Sequence, residues 1–421
     1  MLRWYASAVL FAIGLLAADS VPAENWPCWR GPRGDGTSQE TQVPLRWNGV
    51  SGGNIVWKTP LPGRGHSSPI VWDDRLFLVA CVEASQDRIL FCVDRQSGQI
   101  LWQRTVIAAP LEKQHKLNSH ASGTPATDGE LVYVTFLEPD FGSKREVTPG
   151  NLVVAAYDFA GQPRWLVRPG RFSSVHGFCS SPVLFEDKVI VNGDHDGDSY
   201  IVALDRKTGA VRWKTLRAHK TRSYCTPIIR QIDGRTQMIL SGSLCVVSLD
   251  PRDGSQHWII DGPTEQFVAS LVDNGRLLFL TAGFPEHHIL AIKPDGRGNV
   301  TDSHIVWRTT KGCSYVPSPI VSGDYFLVAA DNGICSCFVA ATGERVWMER
   351  LSSHYSASLI EANGLVYFLA DDGETKVVRP GRQLEVVAVN PLGEYCYASP
   401  AVSQGQLFLR SEKHLVCIGN R

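Results

Sequence analysis

Methionine is nearly missing from this chain, with 3 among 421 residues. C-x-x-C-H is missing altogether, and the two shortages together remove c-type haem. No G-x-S-x-G, H-E-x-x-H or P-loop occurs, which excludes those hydrolase, zinc-protease and nucleotide signatures. No charge of one sign is in excess: 41 Lys and Arg stand against 42 Asp and Glu. The chain therefore lacks the electrostatic footprint of a nucleic-acid or anionic-lipid binder. A helix-rich composition is absent too, given 38 Gly and 24 Pro. Eleven cysteines are present, yet no two are adjacent.

The N-terminus reads as a leader. Arg3 gives a small positive flank and Ala8–Ala18 an apolar stretch, and Val21-Pro22-Ala23 places small residues where a signal peptidase reads. Cleavage is expected after Ala23. The apolar run is short for a bilayer, so an uncleaved anchor is the lesser alternative. No L-x-x-C lipobox precedes Cys28. The mature protein is expected to be periplasmic or secreted, with no membrane span after cleavage.

What the chain does have is a recurring cassette. A small residue is followed two places on by Asp, then by Gly, then by Trp four residues later. It reads C-V-D-R-Q-S-G-Q-I-L-W at Cys92–Trp102 and A-L-D-R-K-T-G-A-V-R-W at Ala203–Trp213. Copies stand at Ala155–Trp165 and Ser248–Trp258, with a worn one at Cys337–Trp347 and a stretched one from Ala291 to Trp307. A Ser/Thr-Pro element alternates with it, as at Ser67–Val71, Gly123–Thr127, Ser180–Leu184 and Ala398–Val402. Eight such landmarks can be counted, two of them without the Pro, and each opens a run of short apolar strands. Four strands per repeat, at a period of roughly 40 to 50 residues, describe a propeller blade.

The expected fold is all-β: an eight-bladed β-propeller of four-stranded antiparallel blades. The last repeat lacks its Trp-bearing strand, while the chain opens with an orphan strand, Asn54–Pro60, that carries Trp57. Pairing that strand with His414–Ile418 would close the ring and hide two sheet edges. The expected domains are 1–23 leader, 24–49 N-terminal extension and 50–421 propeller. Trp57, Trp102, Trp165, Trp213, Trp258, Trp307 and Trp347 are read as a structural motif covering blade junctions. Cys92, Cys337 and Cys417 take the small position of the cassette, where a thiol packs as a small hydrophobe. Cys81 and Cys92 face each other across a predicted hairpin; a disulfide and two packed thiols both remain open.

The cassette resembles the pyrroloquinoline quinone (PQQ) repeat over residues 50–421. That repeat builds the eight-bladed propellers of quinoprotein alcohol dehydrogenases and of BamB-like proteins. The string N-W-P-C-W-R-G-P-R-G-D-G at Asn25–Gly36 is similar to the opening of planctomycete-type PQQ-like proteins. The resemblance is specific for architecture and weak for function, since catalytic and non-catalytic propellers share it.

Candidate site residues precede each Ser/Thr-Pro strand, where a propeller rims its axial channel. They are His66, His120, His176, Tyr224, Tyr315, His354, Tyr355 and Tyr395, flanked by Arg64 and Arg222. Such a collar suits an anionic or aromatic ligand, PQQ being both; water-binding polar residues at a channel mouth are the plainer alternative. Asp194, Asp196 and Asp198 offer alternate carboxylates of the kind Ca²⁺ takes, although position six is Ser and no Glu follows at twelve, so turn chemistry explains them better. The dehydrogenases resembled here carry an adjacent Cys pair, which this chain lacks. The expectation is an exported, non-catalytic scaffold or binding protein for an envelope or extracellular protein, peptide or glycan. The alternative is a PQQ-dependent dehydrogenase of alcohols or sugars, with Ca²⁺.

Overall fold

The cassette makes one local structure wherever it occurs. Asp94 accepts the backbone N–H groups of Gln96 and Ser97, and Gly98 follows with a φ of 74°, which favours glycine. The same turn recurs at Asp205 and Gly209, whose φ is 73°. It joins the third and fourth strands of a blade. The small residue ahead of the turn then lies opposite the Trp beyond it: Cys92 faces Trp102, Ala203 faces Trp213 and Cys417 faces Trp57. In the second blade the partner is Ala156 and not Ala155, because Asp158 stands three residues before Gly161 instead of four and the turn is one residue shorter.

The computed structural model describes residues 23–142 and 147–420; the expected leader up to residue 22 lies outside them. Among the described residues every helix-or-strand element is a strand, and the strands form eight separate sheets. Blade 1 sets the pattern, with Ile70–Trp72, Arg75–Val82, Asp87–Asp94 and Ile100–Ala108 in antiparallel order from the axis outward. Blades 2 to 7 begin at Ala126, Val183, Ile228, Val272, Ile320 and Ile360. Blade 8 takes Ala401–Ser403, Gln406–Arg410 and His414–Gly419 from the end of the chain and Ile55–Pro60 from its beginning. The second and third strands are buried almost throughout, since neighbouring blades cover both faces; they therefore read as unbroken apolar runs. Outer strands alternate.

Blades are fastened by the tryptophans. The indole Nε1 of Trp57 donates to Arg95 O of the next blade (2.8 Å), Trp102 to Phe159 O (2.9 Å) and Trp165 to Arg206 O (2.9 Å). Trp213, Trp307 and Trp347 repeat the contact with Pro251, Ala340 and Gly381. Each indole lies over the next blade's turn: a Cβ on Gly98 would sit 2.6 Å from the Trp57 ring. Trp258 is the exception. The following blade carries the stretched cassette, whose insertion adds Gly298–Asn299 in parallel to the Trp258 strand, so Trp258 donates inward to Gln237. Blade 7 lacks the tryptophan, with Ala388 in its place; Trp47 of the N-terminal extension enters the shared core and stacks on Tyr367.

The eleven cysteines are free thiols. Cys81 and Cys92 do not face each other, because the turn at Glu83–Gln86 pairs Cys81 with Arg88 and Cys92 with Phe77. The bridge is ruled out by register.

Trp57 seals the joint between the two ends of the chain. Trp57→Ala is expected to cost about 3 kcal/mol, read as a lower denaturant midpoint in equilibrium unfolding. An unchanged midpoint would mean that the indole carries no joint.

Candidate functional site

Each Ser/Thr-Pro landmark places a hydroxyl residue at the axis. These are Ser68, Thr124, Ser181, Thr226, Ser270, Ser318, Ser358 and Ser399. They form a belt in which, at six of the eight junctions and not between Ser181 and Thr226, the backbone N–H of one blade donates to the hydroxyl of the next. Ser68 reaches Thr124 (3.0 Å), Thr124 reaches Ser181 (2.9 Å) and Thr226 reaches Ser270 (3.1 Å). Ser270 reaches Ser318 (3.0 Å), Ser318 reaches Ser358 (2.9 Å) and Ser358 reaches Ser399 (2.8 Å). At the seam from blade 8 to blade 1 the link is different. The Ser68 hydroxyl is unpartnered among the described residues, and Arg410 crosses instead, donating to Ser67 O, Ser67 Oγ and Val79 O. Burial pulls the Arg410 guanidinium down to about 9, so it stays charged at neutral pH.

Inside the belt lies an axial cavity of about 100 Å³, lined from all eight blades. Trp29 forms its floor. That residue belongs to the N-terminal extension, which plugs the far end of the channel. Trp26 pairs with Val71 of blade 1 and Pro27 O accepts Thr127 N–H of blade 2. Asp35 meets Arg230 of blade 4, Trp29 Nε1 donates to Ser270 of blade 5 and Arg30 donates to Pro319 O of blade 6. Thr37–Ser38 adds a parallel strand to blade 7, and Glu40 accepts the Gln404 and Gly405 N–H groups of blade 8. Residues 26–40 are therefore a closure that touches seven blades, four of them through the W-P-C-W-R-G-P string. Its Cys28 thiol is half-buried, and desolvation pushes it up to about 12, which suits packing and not reactivity.

The expected collar is only partly assembled. His66 and Tyr224 line the cavity with Tyr397, whose ring centroid stands 4.8 Å from that of His66. Tyr224 is buried, and its hydroxyl meets Ser174 Oγ at 2.6 Å. The other candidates are placed elsewhere. His120 is engaged by Glu112 at 3.1 Å beside Arg88, in a buried ion cluster next to blade 1. His176 packs edge-on to His115. Tyr315 donates to Gln266 (3.2 Å), and His354 Nδ1 lies 2.6 Å from Asp371. Tyr355 is a correction: it turns away from the mouth into the core between blades 6 and 7, against Phe368. Tyr395 is exposed, and Arg64 is exposed with Glu83 and Glu412 each at 3.8 Å. Arg222 is held by Asp196 (2.7 Å).

The three carboxylates of the D-H-D-G-D-S hairpin do not converge. Asp194 takes Arg217 (3.0 Å), Asp196 takes Arg222 and Asp198 takes Lys220 (2.6 Å). Among the described residues no group of three or more His, Cys, Asp or Glu is placed to hold a metal ion. The hydroxyl belt, the Trp29 floor and Arg410 were not picked out as site residues from sequence. The first was visible as Ser/Thr before Pro; the other two carry no local signal.

With this geometry the chain is an eight-bladed propeller of the PQQ-repeat class. It belongs to the family described as outer membrane protein assembly factor BamB, whose model matches residues 48–165, 86–297 and 297–380. The BamB of Burkholderia pseudomallei is 33% identical over 115 residues, covering 27% of this chain and 29% of that protein, so the chain aligns with under a third of this curated relative. Among solved structures, BamB from Moraxella catarrhalis superposes with a TM-score of 0.60 at 15% identity, covering 86% of this chain and 99% of that one. The quinohemoprotein alcohol dehydrogenase of Comamonas testosteroni gives 0.65 at 12% identity, covering 96% and 82%. These two likenesses define the fold alone.

The residues present do not fit PQQ. The cofactor carries three carboxylates, whose binding calls for cations or strong donors in contact. No lysine, arginine or carboxylate lines the cavity. Of the guanidiniums that act on the lining residues, Arg222 is committed to Asp196 and Arg410 to blade 1, while Arg64 is exposed between Glu83 and Glu412.

Burial, with repulsion from Arg410 and Arg64, pulls His66 down to about 3. Folded His66 is thus neutral where the unfolded side chain, near 6.5, takes up a proton. The sign follows: stability falls as pH drops from about 6.5 toward 3, by up to about 1.4 kcal/mol per pH unit for one such group. His66→Asn is expected to flatten that slope in unfolding measured from pH 7 to 4. A slope identical to the parent's would contradict a neutral buried His66.

Proposed function

We propose that this protein is an exported, non-catalytic scaffold or binding module of the cell envelope, sharing with its family a part in protein assembly. The observation that carries this reading is the axial cavity: a floor of Trp29, a belt of hydroxyls and no charged side chain in its lining. Catalysis by a quinoprotein needs its cofactor held at the axis, and here the axis is filled from below by the protein's own N-terminal segment. Binding is then left to the faces and the rim, where the outer strands are presented to partners. The family description, outer membrane protein assembly factor, supports a protein or peptide partner over a small substrate. The leader read at residues 1–23 supports a periplasmic or secreted location. Among the described residues no helix is long and apolar enough to cross a membrane.

The test is a cofactor titration. Folded protein mixed with PQQ and Ca²⁺ at micromolar concentration is expected to show no quinone band shift and no dye reduction with alcohols or sugars. Stoichiometric uptake with turnover would overturn the reading in favour of a dehydrogenase.

A further inference from the structure

Glu40 is a buried carboxylate, 6% exposed, at the junction of the plug with blade 8. It accepts the backbone N–H groups of Gln404, Gly405 and Glu24, the last at 3.0 Å. All three donors are neutral amides as the chain stands. No lysine, arginine or histidine among the described residues lies within ion-pair distance of it. Arg95 acts on Glu40 from beyond that distance and spends its guanidinium on Gln404 and Ser403 O, so no cation touches the carboxylate, and a buried anion without one in contact is costly.

Glu24 is also the residue that follows the expected cleavage point. Ala23 before it is exposed, while Glu24 is fixed from both sides. Its carbonyl accepts Ser403 Oγ (2.6 Å), and its carboxylate holds Arg33 (2.6 Å) and the Gln39 N–H (2.8 Å). The nitrogen therefore cannot swing away from Glu40 without breaking contacts to both the plug and blade 8.

We propose that removal of the leader creates a structural site: the new α-ammonium of Glu24 pairs with Glu40 and locks the plug into the channel. Hydrolysis of the Ala23–Glu24 bond consumes one water. The carboxylate leaves on the leader, and the amine stays on Glu24, where it is protonated at neutral pH. A contacting cation for Glu40 thus arrives at an atom already touching it. In the precursor the same nitrogen is an uncharged amide, and the plug sits on blade 8 without an ion pair. Firm closure of the axis is then a property of the processed protein. This rests on the export part of the proposed function, the leader cleaved after Ala23, and is independent of whether the disc is a scaffold or an enzyme.

The experiment compares protein processed through its own leader with the same chain bearing one extra N-terminal alanine. Mass spectrometry is expected to place the mature terminus at Glu24. The mature form is expected to melt about 2 °C higher, and Glu40→Gln to remove the difference. In the native mature protein the α-amine is expected to react with an acetylating reagent at least tenfold more slowly than in the denatured protein. Three results would overturn the lock: a terminus elsewhere, equal melting temperatures in the parent pair, or a difference that survives Glu40→Gln. If Glu40→Gln does not fold, the labelling rate decides, since an α-amine that labels at the denatured rate is not paired.

Discussion

The pairing of Ile55–Pro60 with His414–Gly419 is the constraint on which the ring rests. Seven blades could be built by local hairpins alone, but the eighth exists only if the two ends of the chain meet. Left open, the row would expose the edge of His414–Gly419 and the uncovered core of blade 1. The seam is accordingly fastened at three depths. Arg410 crosses near the axis, Arg95 reaches Ser403 O within the disc, and Trp57 covers the turn at Gly98 on the outside. Closing it joins residues separated by almost the whole propeller, so it is the slowest kind of contact to form.

Once closed, the ring makes the axis a place where eight equivalent residues meet. The chain uses that symmetry for cohesion. Hydroxyls before each inner strand tie blade to blade, and the N-terminal segment breaks the symmetry by touching seven blades in seven different ways. The result is a channel shut at one end and uncharged inside. That is poor ground for an anionic cofactor.

Much of this was legible in the residues. The cassette turn, its Gly and its Trp obey local rules, so blade number, strand order and the head-to-tail strand could be read directly. The Trp258 exception was foreshadowed by the insertion after Gly296, though its parallel strand was not. The site was less legible, because side-chain direction depends on packing beyond the repeat. Tyr355 and His354 are neighbours in sequence, yet one turns into the core and the other meets Asp371. Cys81 and Cys92 failed to pair over a four-residue matter of register. The plug was invisible, because nothing in W-P-C-W-R-G-P says which distant carbonyls and hydroxyls it will meet.

Hydrogen exchange read by mass spectrometry tests the central claim most directly. In a sealed ring the amides of Ile55–Thr59 that face His414–Gly419 exchange as slowly as the paired amides of another outer strand such as Val211–Leu216, and His414–Gly419 exchanges as slowly as an interior strand such as Lys188–Gly193. Rapid exchange of the head strand while the tail strand stays protected would contradict closure by that pairing.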